Sequence, residues 1–141
     1  MKTFKYFIPL FTLFLMACID EPAPQMTEKE IALEISRTWN CDEFEEGFGA
    51  LPSFEVVIST DPSNDAGILI SNFHGLEGTQ IQAIVRTDLS IELPEQTVFG
   101  QTYLGSGDIS NDFTRITWDY TIENADGTTR ITGTYTYGTT S

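Results

Sequence analysis

The sequence predicts an all-β protein, an antiparallel meander of about eight strands closed as a small barrel and preceded by one short helix. Three observations predict this fold class. Apolar and polar residues alternate with period two along several segments, as in strands with one buried face. Short turn signals separate these segments, and no helical pattern lies between them, so neighbouring strands are expected to pair antiparallel. A two-sheet β-sandwich is the alternative arrangement that also protects the sheet edges.

The clearest strand pattern lies at residues 116–122, where Ile116, Trp118, Tyr120 and Ile122 alternate with polar residues. Similar patterns predict strands at 38–44, 54–59, 67–73, 80–86, 89–93, 97–104 and 131–137. Turn residues predict connections at 61–64, 75–78, 87–88, 94–95, 105–107 and 125–127. Neighbours in sequence are therefore expected to be neighbours in the barrel.

A single helix is expected to begin at Thr27. The segment from Thr27 to Glu30 has the spacing of a capping box, in which each side chain satisfies the other residue's free amide. Ile31 and Ile35 then share one face, so the helix can lie across one end of the β structure. One domain is thus predicted at residues 27–141.

The N-terminus has the three parts of an export signal. Lys2 and Lys5 precede an apolar run at residues 7–17, which is shorter than the roughly 20 residues that span a bilayer as a helix. The run ends in the tetrapeptide Leu15, Met16, Ala17, Cys18, which resembles the lipobox of bacterial lipoproteins. This resemblance implies that residues 1–17 are a cleaved signal peptide and that Cys18 becomes the lipidated first residue of the mature protein.

Residues 18–26 are predicted to be a lipidated acidic tether. Asp20 and Glu21 resemble the surface-export signal of lipoproteins from the Bacteroidota, while Pro22 and Pro24 stiffen the chain. The resemblance implies a lipid-anchored protein of the outer membrane, with cell-surface exposure favoured over the periplasmic face. The alternative is that the acidic pair is only part of a solvated tether.

The charge balance excludes one class of partner. The chain has 21 acidic and 7 basic residues, and the predicted signal peptide contains two of the basic ones. Nucleic acid is excluded because phosphates require clustered Lys and Arg. The remaining basic residues are scattered, so membrane attachment is expected to depend on the lipid anchor and not on a basic patch.

Cys41 is predicted to be a buried, unreactive thiol, since lipidation would use the sulfur of Cys18. The acidic neighbours Asp42, Glu43, Glu45 and Glu46 oppose thiolate formation and are themselves expected to form a solvated face. This cluster and the turn acids near residues 61–65 match no calcium-loop spacing, so no metal is predicted.

No catalytic constellation is apparent. His74 is the only histidine, and the chain lacks a Gly-x-Ser-x-Gly elbow, so a half-exposed turn histidine is favoured over a catalytic one. The Gly105–Asp108 segment lacks the Lys and helix of a phosphate loop and is predicted to be a turn or bulge. We therefore expect neither enzymatic activity nor a cofactor.

A group of aromatic residues is expected either to line a pocket or to fill the core, and their alternation with polar residues favours the core. These residues are Trp39, Tyr103, Trp118, Tyr120, Tyr135 and Tyr137. A helix, a strand bearing Trp39 and then a meander resemble the lipocalin and fatty-acid-binding-protein group. The lipocalin motif has Gly two residues before the Trp, where this chain has Arg37, and Arg130 is the candidate by position to pack on Trp39.

The function predicted from these features is that of a non-enzymatic cell-envelope binding module for a small apolar ligand or an envelope component. The alternative is a structural or interaction subunit of an outer-membrane assembly with no ligand cavity. A hollow interior would favour the ligand-binding module, and a filled interior would favour the subunit without a cavity. The bulky aromatics that are predicted to point inward favour a filled barrel.

Overall fold

The computed structural model describes residues 25–138, which form a closed antiparallel barrel of eight strands, a two-residue side strand and one short α-helix. The strands are β1 (Thr38–Glu45), β2 (Gly49–Ala50), β3 (Phe54–Thr60), β4 (Gly67–Ser71), β5 (Gln80–Val85), β6 (Ser90–Val98), β7 (Gln101–Ile109), β8 (Arg115–Asn124) and β9 (Gly127–Thr136). The predicted fold class is confirmed, and the order of strands around the barrel follows the chain.

Pairing of the first and last strands closes the barrel. β1 and β9 are antiparallel over six pairs, from Asn40 opposite Thr136 to Glu45 opposite Ile131. Closure leaves no long edge strand exposed, which is the usual danger of an open sheet. The short strand β2 pairs with the end of β1, with Ala50 opposite Phe44.

The helix α1 (Glu28–Glu34) covers one end of the barrel. Its predicted capping box is present: the Thr27 hydroxyl accepts from the Glu30 amide at 3.2 Å, and the Glu30 carboxylate accepts from the Thr27 amide at 2.9 Å. Ile31 and Ile35 are fully buried against the barrel. The Trp39 indole N–H donates to the Ile35 carbonyl at 2.9 Å, which ties the end of the helix to β1. Within residues 25–138 no helix is long and apolar enough to cross a membrane.

The connections between strands divide the barrel into two ends. We call residues 25–37, 60–67, 85–90 and 109–115 the helix end, because α1 and three loops meet there. We call residues 45–53, 72–80, 95–102 and 122–129 the hairpin end, which contains the other four connections. The strands of the closed sheet run between these two ends, so the ends are opposite poles of the barrel.

Two predicted turns were wrong. The Pro94–Glu95 site is a bulge within β6, where the register shifts between Leu93 and Gln96, and the turn itself lies at Phe99 and Gly100. Gly105 and Gly107 lie inside β7, opposite Tyr120 and Trp118 of β8. A Cβ atom at Gly105 would lie 2.4 Å from the Asp119 carbonyl oxygen and 2.5 Å from Tyr120 Cα. These glycines permit close approach of β8 and do not mark a chain reversal.

The barrel interior is filled with aromatic side chains. Phe73 packs among three of these rings, with ring centroids 4.9 Å from Tyr120, 5.6 Å from Tyr103 and 6.1 Å from Trp118. The rings of Trp118 and Tyr135 are 5.6 Å apart. These spacings are those of rings in direct tilted or edge contact. The inward aromatics therefore form a packed core, which is the arrangement that the sequence favoured.

One of the predicted core aromatics lies elsewhere. Tyr137 follows the end of β9 and is 45% exposed, so its assignment to the core was wrong. The Arg37 guanidinium carbon lies 3.6 Å from the Tyr137 ring centroid and 4.9 Å from that of Trp39. Arg37, and not Arg130, is thus the arginine that packs on Trp39. Arg130 instead pairs with Asp119 on the outer wall at 2.6 Å.

Candidate functional site at the hairpin end

The most unusual feature of the barrel interior is a buried carboxylate, Glu43 on β1. Only 3% of Glu43 is exposed, whereas its acidic neighbours in the chain face outward or lie at the rim. The expectation that all four acids of this cluster form a solvated face was therefore wrong for Glu43. The strand alternation explains its position, because Trp39, Cys41 and Glu43 are two residues apart and share the inward face.

Glu43 is part of a compact polar cluster with His74 and Tyr120. Glu43 Oε2 lies 2.6 Å from His74 Nδ1, and the Tyr120 hydroxyl donates to Glu43 Oε1 at 2.7 Å. The Tyr120 oxygen is also 3.0 Å from His74 Nδ1. A buried carboxylate needs such donors, since leaving it unpaired costs several kcal/mol. An ionised carboxylate only accepts hydrogen bonds, so with Glu43 ionised the donor in this contact is His74 Nδ1.

A strained loop carries His74 to this cluster. His74 lies in a short 3₁₀ turn (Phe73–Gly75) with φ 56° and ψ 23°, and Asn72 before it has φ 64°. Left-handed backbone costs a residue other than glycine roughly 1–2 kcal/mol. The Asn72 side chain donates to the Glu55 carbonyl at 2.7 Å, and Phe73 is buried in the core. These contacts hold the loop, and the His74 side chain is only 16% exposed, well below the half-exposed state predicted from the sequence.

Three tyrosines around Glu43 keep their protons because of burial. Burial, and after it the charge of Glu43, raises the pKa of Tyr120 and of Tyr103 above the ordinary value. Burial raises the pKa of Tyr135 too, with smaller contributions from Cys41 and Glu43. The Tyr135 hydroxyl and the Trp118 indole N–H are buried with no hydrogen-bond partner among the described residues. The cluster is thus rich in neutral donors around a single carboxylate.

This geometry orients an imidazole but supplies no nucleophile. Among the described residues, Glu43 and Tyr120 are the hydrogen-bond partners of the His74 ring, and neither is a Ser, Thr or Cys that His74 could activate. Cys41 is fully buried, and burial raises the pKa of its thiol far above the range in which a thiolate forms. Within residues 25–138, no three His, Cys, Asp or Glu side chains converge as a metal site requires.

The turn residues singled out near Asp61 lie at the helix end, away from this cluster. Asp61 and Asn64 accept the backbone amides of Ser63 and Ala66, as turn residues do. Cys18, the residues 15–17 before it, and the acidic pair at 20–21 lie outside the described residues. The strand alternation of β1 put Glu43 on the inward face, although its residue type suggested the surface. The role of His74 carries no comparable signal, because a strained loop has no periodic pattern.

The fold and this cluster define a small closed β-barrel with a filled interior and a buried Glu43–His74–Tyr120 cluster at its hairpin end. Comparison of the chain with protein-family models and with curated protein sequences finds no match.

Proposed function

We propose that this chain is an outer-membrane lipoprotein that acts as a non-enzymatic binding module through the outer surface of a filled barrel. It would bind an envelope component there and carry no small ligand inside. The single observation that carries this choice is the packed aromatic interior, in which Phe73 contacts Tyr103, Trp118 and Tyr120. A barrel of eight strands has an interior only wide enough for side chains or for one small ligand, and here side chains fill it.

The proposed anchor rests on the sequence before the described residues. The lipobox-like segment at residues 15–18 supports lipidation at Cys18, and several acyl chains hold a protein on a membrane more stably than one. The acidic pair at residues 20–21 supports transport to the cell surface. In the folded part, Gln25 donates to the Thr87 carbonyl at 2.9 Å, which supports a proposed anchor on the side of the helix end.

Native mass spectrometry of the mature lipidated protein, purified from its own host, tests the filled interior. We expect the same mass before and after denaturation, equal to that of the chain from Cys18 with its acyl groups. A mass excess that disappears on denaturation would reveal a bound small molecule and would overturn the filled-barrel proposal in favour of a ligand carrier.

The anchor is tested by replacement of the two cysteines. Cys18→Ser should abolish acylation and release the protein from the membrane fraction, whereas Cys41→Ala, the matched control, should leave acylation unchanged. Protease added to intact cells should remove the wild-type barrel if it lies on the cell surface. Membrane retention and an acylated mass in Cys18→Ser would contradict the anchor, and protection from external protease would contradict surface exposure.

A further inference from the structure

The rim of the hairpin end presents aromatic side chains to solvent. Phe48 is 75% exposed in the turn between β1 and β2, and Phe99 is 79% exposed in the turn between β6 and β7. Leu76, in the loop between β4 and β5, is also exposed. Phe48 follows β1, and Phe99 lies between β6 and β7. Around the closed barrel, β3, β4 and β5 separate β1 from β6, and β9 and β8 separate β1 from β7, so the two phenylalanines lie on opposite sides of the rim. Together they span the mouth of the barrel.

The charge at this rim is predominantly negative. The hairpin end contains six acidic residues, and it contains no Lys or Arg. These acids are Glu45, Glu46, Glu77, Glu95, Glu123 and Asp126. The helix end, by contrast, contains seven acidic and four basic residues. Arg130, one residue beyond this end in β9, pairs with Asp119, and its charge also acts on Glu46. Exposed phenylalanines among carboxylates in excess are therefore a property of one end of the barrel.

The turn at Phe99 requires a left-handed backbone, but it does not require a phenylalanine. Phe99 and Gly100 form a two-residue hairpin in which both residues have positive φ, 51° and 75°. Such turns favour Asn-Gly or Asp-Gly, so Phe occupies a position where Asn is better suited. An exposed aromatic side chain in left-handed backbone costs free energy and contributes little packing in return. Strain of this kind is concentrated at functional sites.

From these observations we infer that the hairpin end is a docking surface for a basic protein partner, with Phe48 and Phe99 as its apolar anchors. The inference rests on the proposed function and names the surface and the chemistry of the partner. Charge complementarity decides the partner, because carboxylates attract Lys and Arg and repel the anionic head groups of a membrane. At such interfaces, aromatic side chains that enter pockets on the partner contribute most of the affinity, and the surrounding charges increase the association rate and the specificity.

The position of the anchor leaves this surface free. The chain leading from Cys18 joins the barrel at the helix end, where Gln25 contacts Thr87. β1 has eight residues, which at about 3.3 Å per residue puts the rim roughly 25 Å away along the strand. The docking surface is thus the pole that points away from the point of attachment.

The test uses the isotope-labelled mature lipoprotein in detergent micelles and NMR detection of each backbone amide. The probe is a synthetic peptide of alternating Arg and Leu, titrated at low and at high salt. We expect shifts confined to the hairpin end and binding that weakens severalfold as salt increases. The double variant Phe48→Ala with Phe99→Ala should bind about tenfold more weakly. Leu33→Ala, the matched control at the helix end, should bind as the wild type does, since Leu33 is 57% exposed but lies outside the surface.

Two outcomes would overturn the inference. The first is that the peptide shifts acidic residues at both ends alike, or binds the double variant as well as the wild type. The second is that phosphatidylglycerol vesicles bind the hairpin end through Phe48 and Phe99, which would make it a membrane-contacting surface. A bound small molecule in native mass spectrometry would contradict the filled interior and leave this inference standing, so the two failures are distinguishable.

Discussion

The two ends of the barrel are built from different turn chemistry. The three loops of the helix end each contain an Asp followed two residues later by Ser or Thr, at Asp61, Asp88 and Asp112, and each carboxylate accepts from the backbone amide and the hydroxyl of that residue. The hairpin end relies on glycines with positive φ, including Gly47, Gly75 and Gly100. The Asp-x-Ser/Thr hydrogen bonds are thus a feature of the helix end, whereas glycines with positive φ are concentrated in the turns of the hairpin end.

The same backbone conformation has opposite consequences at the two ends. Phe113 at the helix end and Phe99 at the hairpin end both have positive φ, 58° and 51°. Phe113 packs against the core, and its carbonyl accepts from the Arg37 guanidinium. Phe99 is exposed. Core packing offsets the backbone strain at Phe113, but no comparable packing offsets it at Phe99. The strain at Phe99 therefore indicates a function at the hairpin end.

The largest expected effect concerns Glu43, the charge inside the hairpin end. Glu43→Ala removes the acceptor of the Tyr120 hydroxyl and the partner of His74, leaving both groups buried or half-buried without that bond. We expect a loss of about 3 kcal/mol in the free energy of unfolding, measured with urea. Glu43→Gln is the matched control. Its amide oxygen still accepts from Tyr120, and its NH2 group donates to His74 Nδ1 when the imidazole proton is on Nε2, so it should lose less than about 1 kcal/mol. Equal stability of the two variants would contradict a structural role for this cluster.

The second prediction compares the two phenylalanines directly. Phe113→Gly and Phe99→Gly relieve the same left-handed strain, worth about 1–2 kcal/mol, so their difference measures packing. Phe113→Gly should be less stable than Phe99→Gly by about 2 kcal/mol, because only Phe113 loses contacts with the core. Phe99→Gly should be as stable as the wild type, or more stable by up to about 1 kcal/mol. A large loss in Phe99→Gly, measured by urea unfolding, would show that Phe99 serves folding and would weaken the docking inference.

This contrast also explains what could be predicted from the sequence. Alternation was sufficient for β8, because Ile116, Trp118 and Tyr120 all face inward and are all large. At Glu43 the same periodicity pointed inward, but the acidic residue type suggested the surface. The hydrogen bonds that reverse this preference come from residues 31 and 77 positions away in the chain, so no local pattern could reveal them.

The turn errors have a related cause. Gly105 and Gly107 have the composition of a turn, yet they make room for β8 within the sheet, and that requirement depends on a residue in another strand. The true turn at Phe99 and Gly100 has only one typical turn residue. Local composition therefore fails to predict turns correctly where a residue serves a contact with a distant strand or exposes its side chain to solvent.

The third prediction concerns high pH and Tyr135. Its pKa is raised by burial, so the folded protein retains the phenolic proton above pH 10, where the unfolded chain releases it. The folded state then binds more protons than the unfolded state, and the free energy of unfolding must fall as pH rises above about 10. Tyr135→Phe should reduce this loss, and it should be about 1 kcal/mol more stable at neutral pH because it removes a buried hydroxyl without a partner. Urea unfolding at pH 8 and pH 11 measures both effects, and an unchanged alkaline loss in the variant would exclude Tyr135 as its source.

The smallest expected effect is the loss of stability that protonation of the helix-end aspartates causes at low pH. Hydrogen bonds from Thr114 and Ser110 lower the pKa of Asp112 to about 2, and similar bonds lower the pKa of Asp61 and Asp88. A lowered pKa in the folded state means that the unfolded chain binds protons first as pH falls, so this stabilisation is present above about pH 4 and is lost toward pH 2. Asp112→Asn keeps a side-chain oxygen for the Thr114 amide but cannot titrate, so its free energy of unfolding should depend less on pH between 4 and 2.

Amide shifts followed by NMR over this range should change first at residues 110–114, since the turn at Phe99 and Gly100 contains no carboxylate. If the amide shifts at Phe99 change over the same pH range as those of the Asp112 loop, the two ends respond to acid together. That result would contradict the expectation that their different turn chemistry makes them respond separately.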